Sequence, residues 1–269
     1  MLFNSKLSSV LSLLCVIYAP QILAHPLSPR QAAVTLQVLN DSVDKKLGCP
    51  AAKISTLQTA LTDASNIAAV AARTLSGVAL SGSSPEAITT FLGITGTDLA
   101  DGTTLRFTDV GNAYGGALTQ ITDLVAGNSD TTLRFYCPDI ATTEPEGNPC
   151  DASALAVTEN LAEGSINKMA LCTQFFSGGS LAADTATYNA EKAAGKADSF
   201  STPDDPALTL IHEAQHSVPL LDGHVDNVLE DIALETDACA ALPADEKPTN
   251  AENWAIIAFL ANVDPGRFS

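Results

Sequence analysis

The pentapeptide His212-Glu213-Ala214-Gln215-His216 constrains this chain more than any other stretch of it. Two histidines four residues apart on a helix share one face, so both imidazoles can reach a single Zn2+ at about 2.0–2.1 Å. The glutamate between them stands where it can take a proton from a metal-bound water. The pattern works only on a helix with one side buried, and the preceding Ala207-Leu208-Thr209-Leu210-Ile211 is apolar enough to provide one. The polar edge of His212, Glu213 and His216 is then either a solvated helix edge or a zinc site, and a zinc site of this kind would carry out hydrolysis.

A catalytic zinc takes three protein ligands and keeps a position open. Asp222, six residues after His216, would suit a metzincin arrangement. That arrangement needs glycine where this chain has Pro219, and proline cannot make the same tight turn. Glu230 or Glu235 would suit a gluzincin arrangement, but neither sits in a recognisable local motif. Gly223-His224-Val225-Asp226-Asn227-Val228-Leu229 resembles the GTxDxxY segment of the aspzincins, the deuterolysin-like metalloendopeptidases. Asn250-Ala251-Glu252-Asn253-Trp254, Met169 to Phe176 and Phe135-Tyr136-Cys137 also have counterparts there. The resemblance runs from about Cys49 to the C-terminus, and its specific pieces are HExxH and Gly-x-x-Asp.

The resemblance implies a helix-rich α+β, zincin-like metallopeptidase domain with a small sheet, acting on a protein or peptide substrate. Zn2+ would be held by His212, His216 and Asp226, with Glu213 as the general base. It also implies disulfides Cys49–Cys137 and Cys150–Cys172, which leaves Cys239 free. Two positions depart from the family pattern. Leu229 stands where the family has a tyrosine whose hydroxyl helps polarise the scissile carbonyl, and leucine has no hydrogen bond to donate. His224 replaces threonine, as a loop-stabilising side chain, a substitute electrophile or a fourth ligand. Glu252 stands where lysine-specific members carry an acid, so Glu252 and His224 are the candidate substrate contacts. A zinc-binding protein of the same fold with weak or no turnover is the alternative. Hydrolysis of non-peptide amides is a third class.

Residues 1–24 read as a signal peptide, with Lys6, the apolar run Val10 to Ala19 and the ending Ile22-Leu23-Ala24. Its run is too short to span a bilayer, and no later stretch reaches the roughly 20 apolar residues required, so the expectation is a secreted, extracellular monomer. Residues 25–48 form a short N-terminal or pro-segment, and 49–269 a single domain. Cleavage removes Cys15 and leaves Cys49, Cys137, Cys150, Cys172 and Cys239, an odd number. Asn40-Asp41-Ser42 is a glycosylation sequon. A formal net charge of −18 argues against nucleic acid and anionic membranes as partners.

Apolar spacing predicts helices within Pro26 to Thr74, broken between Gly77 and Ser84, and another over Pro85 to Leu92. Thr104 to Phe107 and Thr132 to Tyr136 read as strands. Asn189 to Ser201 reads as a helix leading toward the histidine helix, which Val218-Pro219 ends. Ala251 to Val263 reads as a buried helix with Trp254 and Phe259 in the core.

Overall fold

The computed structural model describes residues 34–100, 103–122, 131–138, 150, 154–160, 167–221 and 228–269. The expected signal peptide lies outside them, as do Asp222, Gly223, His224 and Asp226. A five-stranded sheet is built from β1 (Thr35–Leu39), β2 (Leu118–Ile121), β3 (Thr132–Tyr136), β4 (Ala156–Glu159) and β5 (Asn167–Leu171), in the order β2-β1-β3-β5-β4. The first four strands in that order are parallel, while β4 runs antiparallel at the edge. Parallel strands need cover on both faces and so read as continuous buried runs. Leu36, Gln37, Val38 and Leu39 of β1 are all buried, as are Thr132 to Phe135 of β3. The one polar pair within those runs is matched across the register: Arg134 donates to Gln37 Oε1 at 2.8 and 3.1 Å.

The helices are α1 (Ala51–Ser81), α2 (Glu86–Phe91), α3 (Thr103–Tyr114), α4 (Leu181–Ala193), α5 (Pro206–Ala214), α6 (Thr236–Ala241) and α7 (Ala251–Val263). The fold is therefore α+β and rich in helix. α7 is buried on every side from Ala251 to Ala261, as befits a helix that is apolar all round. It packs on α1, α5 and α2. Trp254 and Phe259 lie in the core at 2% and 0% exposure. Disulfides Cys49–Cys137 and Cys150–Cys172 tie the loop after β1 to the end of β3, and Cys150 to the end of β5. Closing loops of 88 and 22 residues, each stabilises the chain by about 2–4 kcal/mol.

Four local expectations differ from the structure. The segment read as N-terminal helix or pro-segment supplies β1, an interior strand, so a processing cut beyond Thr35 would open the sheet. Thr104 to Phe107 alternates like a strand but is the start of α3, because Phe107, Val110 and Tyr114 fall on one buried helical face. α1 runs through Gly77, whose missing Cβ faces open space, and stops at Gly82 with φ of +63°, a left-handed C-terminal cap. α4 begins earlier than expected, where the Ser180 hydroxyl accepts a hydrogen bond from the Ala183 N–H.

Candidate metal centre

α5 starts where the sequence offers both an acceptor and a fixed φ. The Asp205 carboxylate accepts from the N–H groups of Ala207 and Leu208, and Pro206 occupies the first turn. Ala207, Leu208, Leu210, Ile211 and Ala214 bury the helix, which turns His212 and Glu213 toward a cavity of about 480 Å3. His216 follows in a tighter turn, its N–H donating to the Glu213 carbonyl at 3.1 Å. The helical spacing thus survives past the end of α5, and the two Nε2 atoms lie 3.2 Å apart.

Each imidazole is held from behind through Nδ1. His212 Nδ1 meets Glu252 Oε2 at 2.7 Å, and His216 Nδ1 meets the Leu229 carbonyl at 2.8 Å. Such partners fix ring orientation and leave Nε2 for a metal. The loop over residues 228–233 returns to the same point. Asp231 Oδ1 lies 3.2 Å from His212 Nε2 and 3.1 Å from His216 Nε2.

Atoms at about 2.0–2.1 Å from a tetrahedral centre are about 3.3–3.4 Å apart, so this spacing of 3.1 to 3.2 Å suits zinc. Two neutral imidazoles and a carboxylate are also a donor set that zinc takes. Among the described residues, His212, His216 and Asp231 are the group of side chains placed to hold a metal ion.

The charges of these three side chains agree with that geometry. Burial opposes a charged His212, yet hydrogen bonds with Asp231 and Glu252 hold its imidazole well above the usual histidine range. His216 is raised in the same way, against burial, by Asp231. Burial likewise opposes an ionised Asp231, but both imidazoles hold its carboxyl well below the usual range. The Asp231 carboxylate thus favours positive charge at the point where the two Nε2 atoms meet.

Asp231 was not singled out by the sequence. It sits on a loop, and what locates it is a buried amide 19 residues later in the chain. Asn250 Oδ1 accepts from the N–H groups of Ile232 and Ala233 at 2.8 and 3.1 Å, and its Nδ2 donates to the Ala233 carbonyl at 2.9 Å. Glu230 and Asn250 also form a β-bridge. The Asn250-Ala251-Glu252 segment therefore holds both the Asp231 loop and the His212 ring.

Leu229 takes a different part from the one its alignment implied. Its side chain is in the hydrophobic core and its backbone anchors the site, the N–H donating to the Gln215 carbonyl at 2.9 Å while the carbonyl meets His216. Counted from Asp231, the residue three positions on is Leu234, which lines the cavity and is 55% exposed. Leu208, Ala255 and Ile256 add apolar wall, and Glu235 and Glu252 add acid. Glu252 is nearly buried, with one carboxylate oxygen taken by His212.

Glu213 is 5% exposed, and its Oε2 accepts from the Thr158 hydroxyl of β4 at 2.7 Å. Cys239 is buried and free of a disulfide; burial pushes its thiol up to about 12.

No family model matches the chain, and no curated protein does. Among solved structures the chain is similar to a zinc peptidase from Grifola frondosa, at 17% identity and a TM-score of 0.46, over 79% of this chain and 97% of that one.

Proposed function

We propose that this protein is a secreted zinc metalloendopeptidase, with His212, His216 and Asp231 as ligands and Glu213 as the general base. The observation that carries the reading is the convergence of two Nε2 atoms and one carboxylate oxygen, 3.1 to 3.2 Å apart, beside a nearly buried glutamate. Zinc, when bound, supplies a Lewis acid for the carbonyl and makes water acidic enough to ionise near neutral pH. Glu213 takes the proton from the attacking water and passes it to the leaving amine. Glu252 and the Leu229 carbonyl hold the two rings in the tautomer that presents Nε2. The cavity beside Glu213 is partly apolar and, at about 480 Å3, has room for a side chain of the substrate. Secretion is supported by the two disulfides and by the sequence of residues 1–24.

A second reading, a zinc-binding protein with little turnover, is favoured by Leu234. Among the described residues that line the cavity there is no tyrosine, and losing one oxyanion donor costs about 2.7–4 kcal/mol, or 10²–10³ in rate. The test is cleavage of casein by the zinc-loaded mature protein, with and without a chelator, beside Glu213→Gln. The peptidase reading expects chelator-sensitive cleavage that Glu213→Gln lowers by about 10²–10⁴ while zinc stays bound. One zinc per chain without cleavage selects the second reading.

A further inference from the structure

The edge strand β4 and the residue just after it, Asn160, meet the histidine segment through two side chains. Thr158 directs its hydroxyl at Glu213, 2.7 Å from Oε2 and 3.2 Å from the backbone carbonyl. Asn160 donates its amide to the His216 carbonyl and accepts from the Val218 N–H at 2.9 Å. The hydroxyl has a single proton, and the shorter contact with a carboxylate is the stronger one. β-branching restricts the threonine rotamer, and pairing with β5, with Thr158 opposite Met169, fixes where the strand lies.

We infer that Thr158 is the positioning residue for the general base, with Asn160 bracing the turn after α5 that carries His216. The inference rests on the peptidase reading for its kinetic consequence. A glutamate side chain has three rotatable bonds, and burial alone does not choose the rotamer that faces the attacking water. Thr158 holds Oε2 and leaves the other oxygen to take the proton. Asn160 bonds the His216 carbonyl and the Val218 N–H, so the turn after α5 is held where His216 faces His212. No ligand of the metal is touched by the Thr158 side chain, so its loss acts on proton transfer and leaves metal binding intact.

Thr158→Val keeps the shape and removes the hydroxyl, and Thr158→Ser restores it. In zinc-loaded protein cleaving a peptide, Thr158→Val is expected to keep one zinc per chain and an unchanged KM while kcat falls about tenfold, a share of what a general base supplies. Thr158→Ser is expected to recover most of that loss.

A second readout needs no activity. In the metal-free protein, the drop in Tm caused by Thr158→Val is expected to shrink when Glu213 is already alanine, because the partner is gone. Wild-type kcat in Thr158→Val, a loss that Thr158→Ser does not restore, loss of zinc, or additive Tm shifts would each overturn the assignment. If the wild-type protein cleaves nothing, the peptidase reading fails and the Tm cycle alone decides: coupling supports the Thr158–Glu213 contact, and additivity removes it.

Discussion

The two halves of the candidate metal centre are built by opposite means. His212 and His216 ride on a buried helix with side chains only 12% and 15% exposed, each pinned through Nδ1. Asp231 comes from a loop, its side chain 49% exposed, and is located by a buried asparagine elsewhere in the chain. A ligand pair on one helix is encoded by local spacing, whereas a ligand on a loop is encoded by whatever holds the loop. The helical half is therefore held by its own burial and by Nδ1 partners, and the loop half by Asn250.

The comparison breaks first at the helix. Replacing His216 by alanine removes a proposed ligand, and metal analysis should find no bound zinc and an assay no turnover. Next comes the loop. Asn250→Ala strips three hydrogen bonds from residues 232 and 233, and it should lower zinc affinity by about 10–100-fold and stability by about 1–3 kcal/mol. Competition with a chromogenic chelator and chemical denaturation would check the two effects. Glu252→Gln should keep the hydrogen-bond acceptor and lose only the charge behind His212, lowering zinc affinity by about tenfold and changing the Tm of the zinc-free protein less than Asn250→Ala is expected to.

The smallest effect lies away from the centre, where α4 meets the start of α5. Burial, then Asp204, raises the Asp184 carboxyl to about 6. A carboxyl raised on folding binds its proton more tightly in the native chain, so its contribution is complete at acid pH and is lost as pH rises through that value. Asp184→Asn should therefore raise Tm slightly at about pH 7.5 and leave it unchanged at about pH 4, as calorimetry would show.

The same contrast explains what could be read from the sequence. The histidine helix, the buried α7 and the strand at Thr132 are legible because the HExxH spacing and unbroken apolar runs are local signals. β2, β4 and β5 are strands of four or five residues that gain their stability only from neighbours. α3 hid behind four residues that alternate like a strand. In the centre, Asp226 drew attention as the aspartate of a Gly-x-x-Asp segment, while Asp231 had only a leucine-rich loop around it. Its signal was the pairing of residues 230–233 with Asn250, a contact that no local pattern displays. Glu252, an acid at the position that lysine-specific members of the resembled family fill with one, both lines the cavity and meets His212 Nδ1, a contact that its sequence position does not display.

The most direct test of this account is the zinc content of Asp231→Ala beside Asp226→Ala, measured by metal analysis after dialysis against a weak chelator. The account predicts one zinc per chain in the wild-type protein, nearly the same in Asp226→Ala, and loss of most of it in Asp231→Ala. Zinc retained by Asp231→Ala and lost by Asp226→Ala would contradict it, as would a wild-type protein that binds no zinc at all.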